Sequence, residues 1–169
     1  PPGHNYPRVE SKALADYVHT QLGSQLESAT REHGGDSGFR LLSFGVDGYL
    51  TRMQMINAAE RTLDLQYSIF RGDDTGRLLT EAALRAADRG VRVRILLDDG
   101  ERLGGDEQIA PLTAHRGIEI RFYNPFAYRG HLKVLKGTEY LFNRSRLNYR
   151  MHNKLMVADN AVALIGGRN

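Results

Sequence analysis

Apolar side chains recur at strand and helix spacings in turn from residue 39 to the end of the chain. Short apolar runs indicate strands, and apolar stripes at three- and four-residue steps indicate helices. The predicted strands cover residues 39–44, 63–70, 91–97 and 118–123, and the predicted helices cover residues 47–60, 75–89 and 106–115. Strands that alternate with helices form βαβ units. We therefore expect an α/β fold in which a β-sheet is flanked by helices on both faces.

A separate segment precedes this pattern. Residues 1–10 are a leader rich in proline, and Ser11 is a suitable cap for a helix that runs to about Glu32. A glycine-rich loop at residues 33–38 follows. The chain thus divides into an N-terminal leader and helix, residues 1–38, and a main domain, residues 39–169.

Composition narrows the class of protein. The 169 residues are 41% hydrophobic and 25% charged, which suits one globular domain with a sizeable core. The formal net charge of +3 suits a phosphate-bearing partner but is too small to indicate nucleic acid. Because the chain has no cysteine, disulfides and thiolate metal sites are excluded. No apolar run approaches the length of a membrane span.

Two adjacent carboxylates, Asp98 and Asp99, come directly after the predicted strand 91–97. Paired carboxylates at a strand end can bind a metal ion or act as acid and base. Acidic residues in a solvated turn are more common, and we favour this interpretation. We expect no catalytic metal, since the sequence also lacks the His-Glu-x-x-His spacing of zinc enzymes.

The segment 152–169 has the pattern of a β-hairpin. Two apolar strands flank Asp159-Asn160, a pair of residues that tolerates the positive φ angles of a two-residue turn. Such a turn places His152 opposite Gly167.

Side chains alternate between the two faces of a strand, so this pairing also sorts the hairpin into faces. One face carries His152, Lys154, Gly167 and Asn169, and the other carries the core side chains Leu155, Val157, Val162 and Leu164. An imidazole can attack phosphorus, while an ammonium and a carboxamide can stabilise charge on phosphate oxygens. A glycine opposite the histidine leaves room for the phosphate. The first face is therefore a candidate site for phosphodiester chemistry.

Six residues of this segment form a pattern that resembles the signature of the phospholipase D superfamily, His-x-Lys-x4-Asp-x6-Gly-Gly-x-Asn. They are His152, Lys154, Asp159, Gly166, Gly167 and Asn169. The flanking segments look like the bacterial cardiolipin synthase branch; they are residues 61–70, 75–99, 124–126 and 146–154. The resemblance covers about residues 37–169 and implies a phospholipase D-like fold with a mixed β-sheet.

The resemblance also implies how such a site works. A histidine of one motif attacks phosphorus and a histidine of a second motif protonates the leaving alcohol. The phosphatidyl group then passes to water or to another alcohol, with no metal or other cofactor. By this analogy His152 is the nucleophile or its partner acid, and Lys154 and Asn169 hold the phosphate. The supporting, structural residues of the motif are Asp159, Gly166 and Gly167.

The chain departs from that family in two ways. It holds one complete motif, because His131-Leu132-Lys133 lacks the aspartate and the Gly-Gly-x-Asn that should follow. It also stops at Asn169, the last motif residue, whereas family members continue. We therefore expect the first, N-terminal half of a longer two-motif enzyme, inactive or nearly so as an isolated monomer.

Three functions are open at this point. The leading expectation is a phosphatidyltransferase or phosphodiesterase of the cardiolipin synthase type, with a phospholipid substrate and the second motif in the same longer chain. The first alternative is a single-motif phospholipase D-like nuclease that completes its site as a homodimer. The second alternative is a half that binds phosphate without turnover.

Aromatic and basic side chains cluster in the predicted loop after residue 122. They are Tyr123, Phe126, Tyr128, Arg129, His131 and Lys133. Such side chains suit a membrane interface, although packing of the rings on the sheet explains them as well. We expect a bacterial protein peripheral to the cell membrane, and we do not expect nucleic acid as a partner.

Overall fold

A computed structural model describes residues 12–100, 109–128 and 132–168. Within these ranges the strands are β1 Thr62–Tyr67, β2 Arg92–Asp98, β3 Ile118–Tyr123, β4 Lys154–Ala158 and β5 Val162–Ile165. The α-helices are α1 Gln21–Glu32, α2 Gly45–Ala58, α3 Asp74–Asp88, α4 Ala110–Ala114, α5 Lys133–Phe142 and α6 Arg144–Leu147. A short 3-10 turn, Tyr17–His19, precedes α1.

The strands form one mixed sheet in the order β3-β2-β1-β4-β5. β1 pairs in parallel with β2, and β2 pairs in parallel with β3. β4 runs antiparallel to β1, and β5 runs antiparallel to β4. Each parallel crossover contains a helix, α3 in the first and α4 in the second, as parallel pairing requires. The expected α/β fold with a mixed sheet is confirmed.

The core lies on one face of this sheet. Alternate side chains of the strands, such as Leu63 and Val93, are buried there, and the sheet contacts α2, α3 and α4. The opposite face carries half-exposed polar side chains. Two of them, Arg94 and Asp64, form an ion pair.

Residues 39–44 do not form the predicted strand. Phe39 and Leu41 are 96% and 89% exposed, and the segment leads without regular structure into α2. An apolar run becomes a strand where a neighbouring strand takes up its backbone hydrogen bonds. None of the described strands borders this segment.

The N-terminal helix begins later than predicted. α1 starts at Gln21 because Thr20 is extended and its hydroxyl accepts a hydrogen bond from the Gly23 N–H. Ser11, the predicted cap, lies outside the described residues. At its start α1 contacts the sheet end at which β1 begins, since the Gln21 N–H donates to the Glu60 carboxylate. This is the opposite end of the sheet from the start of β4.

Candidate active site

The hairpin of β4 and β5 is present, but its register differs by one residue from the predicted one. Leu155 pairs with Ile165, and Ala158 pairs with Val162. The connection is therefore residues 159–161, one residue longer than predicted. The first two of these residues have positive φ angles of 51° and 54°, as the sequence indicated.

The register changes which side chains share a face. The core side of the hairpin carries Lys154, Met156, Ala158, Val162 and Leu164. Leu155 and Val157, which were predicted for the core, lie half-buried on the other side. The predicted partner of His152, Gly167, is also displaced, because the Gly166 N–H donates to the Lys154 carbonyl at 3.2 Å.

Asp159 anchors the hairpin turn to the residues that lead into β1. Its side chain is fully buried and accepts three backbone hydrogen bonds. One carboxylate oxygen accepts from the N–H groups of Arg61 and Thr62, both at 2.8 Å, and the other accepts from Glu60 at 2.9 Å. The Asp159 N–H itself donates to the Thr62 carbonyl at 2.8 Å. These four bonds set the position of β4 along β1.

His152 and Lys154 lie at the start of β4, beside the carboxyl end of β1. Lys154 pairs with Tyr67 and is 4% exposed, and its ammonium donates to the His152 carbonyl at 3.0 Å. That bond engages one of the three N–H donors of the ammonium. The His152 side chain is exposed. The arrangement combines an accessible imidazole with a nearby buried cation.

The backbone before His152 is held by a carboxylate of β2. Asp98 is buried and accepts from the Met151 N–H at 2.7 Å and from the Arg150 guanidinium at 3.0 Å. Asp99 is also buried and accepts from the Phe126 N–H at 2.9 Å. The expectation of a solvated acidic turn is therefore wrong, because both carboxylates are enclosed by the segments that precede β4.

Arg52 of α2 borders the candidate site and was not predicted from the sequence. It is buried and donates to the Tyr67 hydroxyl at 3.1 Å, to the Gly48 carbonyl at 3.0 Å and to the Arg168 carbonyl at 2.8 Å. The last bond holds the backbone just after the two motif glycines. Burial raises the pKa of the Tyr67 phenol, and the Arg52 cation opposes this rise. Tyr67 is therefore a neutral hydroxyl at ordinary pH.

An open cavity of about 190 Å³ borders this hydrogen-bond network. Its polar lining comes from Tyr49, Arg52, Tyr67, Thr75 and Arg168. Two guanidinium groups and three hydroxyl-bearing side chains make this space suited to an anionic or hydroxylated group. It lies on the core side of β1, where Tyr67 pairs with Lys154.

The two motif glycines are free of the usual structural requirements for glycine. A Cβ atom built on Gly166 or Gly167 meets no described atom within 4 Å. Neither residue is among those with positive φ. Asn169, the last predicted site residue, lies outside the described residues. The described site residues are thus His152, Lys154, Asp159, Gly166 and Gly167, of which Asp159 lies at the far end of the hairpin.

Two features of the described residues bear on the chemistry. No group of three or more His, Cys, Asp or Glu side chains there could hold a metal ion. No described helix is both long enough and apolar enough to cross a membrane.

Known proteins similar to this chain agree on one family. A family model described as "Cardiolipin synthase, PLD-like domain" matches residues 53–169. Cardiolipin synthase C of Escherichia coli K12 is 43% identical over 149 residues, which are 88% of this chain and 31% of that protein. Major cardiolipin synthase ClsA of Bacillus subtilis is 30% identical over 135 residues, 79% of this chain and 25% of that protein. The chain thus spans about a third or less of the length of these relatives.

A solved structure shares the fold at low sequence identity. NucT from Helicobacter pylori superposes with a TM-score of 0.51 at 18% identity, covering 73% of this chain and 67% of that one. That likeness concerns the fold alone. The family match over residues 53–169 shows that the chain belongs to the phospholipase D-like domain family of the cardiolipin synthase type.

Proposed function

We propose that this chain is the phosphate-attacking part of a phosphatidyltransferase or phosphodiesterase that acts on phospholipids. The observation that carries the proposal is the placement of an exposed His152 side chain two residues before the buried Lys154, whose ammonium donates to the His152 carbonyl. The cardiolipin synthases among its relatives indicate the phospholipid substrate.

The proposed reaction has two steps and needs no metal or other cofactor. A ring nitrogen of His152 donates its electron pair to phosphorus, and the bond from phosphorus to the leaving alcohol breaks. The leaving oxygen takes a proton from a second histidine that acts as general acid. Water or another alcohol then attacks the phosphohistidine, loses its proton to that second group and releases His152. If the geometry of a complete site reversed the roles, His152 would be the acid instead.

The other motif residues support this chemistry in the proposal. Lys154 and Asn169 hold the non-bridging phosphate oxygens, where their charge and dipole stabilise the transition state. Gly166 and Gly167 leave space for the phosphate, which agrees with the absence of any described atom that a Cβ would meet. Asp159 has a structural role, which its three accepted backbone bonds support.

The proposed site requires a partner. The sequence contains one complete motif, and a general acid typically contributes about 10²–10⁴-fold to such a reaction. We propose that the second histidine comes from a second half in a longer chain, so that residues 39–169 form the first catalytic half. As an isolated monomer the chain would then be inactive or nearly so.

A second candidate is a single-motif nuclease that works as a homodimer. The observation that favours it is the single motif, since two copies of this chain would supply two histidines. The exposed edge of β5, with Ile165 largely exposed, offers a surface for such pairing. A third possibility is a half that binds phosphate without turnover. The experiment described next distinguishes these three functions.

The test measures turnover and mass together. The purified chain is given phosphatidylglycerol in mixed micelles or single-stranded DNA, while light scattering reports its mass. Lipid turnover only after a polypeptide with a second His-x-Lys motif is added supports the proposal. DNA cleavage by a dimer supports the nuclease, and binding of phosphate without turnover in any assembly supports the non-catalytic half. Rapid lipid turnover by a proven monomer contradicts the half-site proposal.

We also propose that the bacterial protein is peripheral to the cell membrane, as its phospholipid substrate requires. The aromatic and basic loop after residue 122 is one candidate for that contact. Its residues Arg129 and His131 lie outside the described residues. The described residue Phe126 stacks beneath the Arg150 guanidinium at 5.8 Å, so this ring packs within the protein.

A further inference from the structure

Helix α5 has its polarity inverted relative to an ordinary surface helix. The Leu141 and Phe142 side chains are 73% and 88% exposed, whereas the Glu139 side chain is only 12% exposed. A surface helix normally turns its apolar stripe toward the core and its charges toward water. In α5 the apolar stripe faces solvent and a carboxylate faces the protein.

Specific contacts hold α5 in this orientation. The two carboxylate oxygens of Glu139 accept the backbone N–H groups of Ala127 at 2.8 Å and Tyr128 at 2.9 Å. The Arg146 guanidinium lies 3.3 Å from the same carboxylate. Rotating the helix to bury its apolar stripe would break all three contacts. The exposure of that stripe is therefore built into the fold.

The exposed apolar area extends over the whole helix. Helical spacing places Val134, Leu141 and Phe142 on one side of α5. The exposed apolar and aromatic residues that we call the α5 surface are Leu132, Val134, Leu135, Tyr140, Leu141, Phe142 and Tyr149. Exposed apolar side chains concentrated in one short segment often mark a contact surface.

Charge identifies the kind of partner. Residues 132–150 contain five Lys or Arg residues and one Glu. Arg146 is paired with Glu139, and Arg150 is paired with Asp98. Among the described side chains of this segment, the cations that remain for a partner are therefore Lys136 and Arg144. An apolar helical face bordered by cations and amphipathic rings suits the boundary of an anionic lipid bilayer. The apolar stripe enters the acyl region, and the cations contact lipid phosphates.

We propose that the α5 surface docks the protein on an anionic phospholipid bilayer. This deepens the proposed function and rests on it for the choice of lipid. α5 and α6 lead directly to Arg150 and Met151, which Asp98 holds beside His152. The α5 surface is therefore close along the chain to His152, the residue that the proposed function places at the phosphate.

The test is binding of the full chain to sedimenting vesicles of phosphatidylcholine with or without phosphatidylglycerol. The apolar face is changed by L141Q/F142Q, and the matched control is F39Q/L41Q, which replaces an exposed Phe and Leu elsewhere. The charge is changed by R144Q, with R40Q as its control. All these side chains are exposed, so circular dichroism should show that the variants fold.

We expect binding to the anionic vesicles, weakened on the order of tenfold or more by L141Q/F142Q. R144Q should weaken binding about fivefold and high salt should weaken it further, while both controls bind like the wild type. Equal loss in F39Q/L41Q would overturn the proposal, and so would full binding by L141Q/F142Q. A dimer that L141Q/F142Q dissociates, with no vesicle binding, would assign the surface to a second copy instead.

The docking result is separable from the proposed chemistry. His152→Ala should bind vesicles like the wild type, because the histidine is not part of the α5 surface. If the chain binds anionic vesicles but His152→Ala does not change its reaction with a phosphodiester, docking is supported and the proposed function is not. A chain with the expected histidine chemistry but no preference for anionic vesicles would overturn docking alone.

Discussion

Removing the Asp159 side chain should destabilise the domain severely. The carboxylate accepts three backbone bonds, and the Thr62 N–H among its donors is buried whereas those of Glu60 and Arg61 are partly exposed. A buried donor without an acceptor costs about 1–3 kcal/mol, and each lost bond from a partly exposed donor costs about 0.5–1.5 kcal/mol. The total loss for Asp159→Gly is therefore about 2–6 kcal/mol, a large part of the 5–15 kcal/mol that stabilises a typical domain.

Two companion variants separate the causes of this loss. Asp159 has a φ of 51°, a conformation that costs an alanine roughly 1–2 kcal/mol and a glycine almost nothing. Asp159→Ala should therefore be less stable than Asp159→Gly by about that amount. Asp159→Asn retains one oxygen for Arg61 and Thr62 and tolerates the same φ, so it should lose less than either.

The assay is urea unfolding followed by circular dichroism. With a typical slope of about 2 kcal/mol per molar urea, Asp159→Gly should lower the midpoint by about 1–3 M. A loss below about 1 kcal/mol in Asp159→Gly would refute the view that this carboxylate anchors β4. If Asp159→Asn lost as much free energy of unfolding as Asp159→Gly, the accepted hydrogen bonds would contribute little.

Three further changes test other parts of the site. Arg52→Gln should lower activity about tenfold or more in an assembly that turns over, because the Arg168 carbonyl loses its donor at 2.8 Å. Unchanged steady-state kinetics would contradict this expectation. Gly167→Ala should leave the urea unfolding midpoint unchanged, because the added Cβ meets no described atom. It should lower activity, because the proposed function places the phosphate in that space. A fall in both the midpoint and the activity would indicate that Gly167 has a packing role. Activity should persist in EDTA, and its loss with rescue by one divalent ion would overturn the metal-free mechanism.

The sequence predicted the parallel half of the sheet well. β1, β2 and β3 are short apolar runs separated by helical patterns, and local periodicity is enough to place them. Residues 39–44 have the same local appearance, but no described strand lies beside them, so propensity alone misleads.

The hairpin register could not be read from local sequence. A two-residue turn at Asp159-Asn160 satisfies local preferences, but the Asp159 carboxylate binds backbone groups of residues 60–62, nearly a hundred positions away. That contact adds Ala161 to the turn and moves every pair by one residue. Only the tertiary structure contains this information.

Arg52 and α5 escaped prediction for a related reason. A charged residue within a helix is normally assigned to solvent, yet Arg52 is buried and donates to acceptors on its own helix, on β1 and after β5. The apolar stripe of α5 would normally be assigned to the core, yet Glu139 holds it outward. In both cases hydrogen bonds between distant segments override the pattern of polarity.

The central claim is that His152 attacks phosphorus with the help of Lys154. A phosphatidyl ester of p-nitrophenol tests this in the chain as it is, because nitrophenolate leaves without protonation and the second histidine is not needed. Nitrophenolate release is followed by absorbance, and the phosphorylated residue is identified by mass spectrometry after an alkaline quench.

We predict a burst of up to one nitrophenolate per chain, with the phosphatidyl group on His152. His152→Ala should abolish the burst, and Lys154→Ala should slow it about 10²-fold or more through lost charge stabilisation. A burst that persists in His152→Ala, or a phosphatidyl group found on another residue, would contradict the assignment of His152 as the nucleophile.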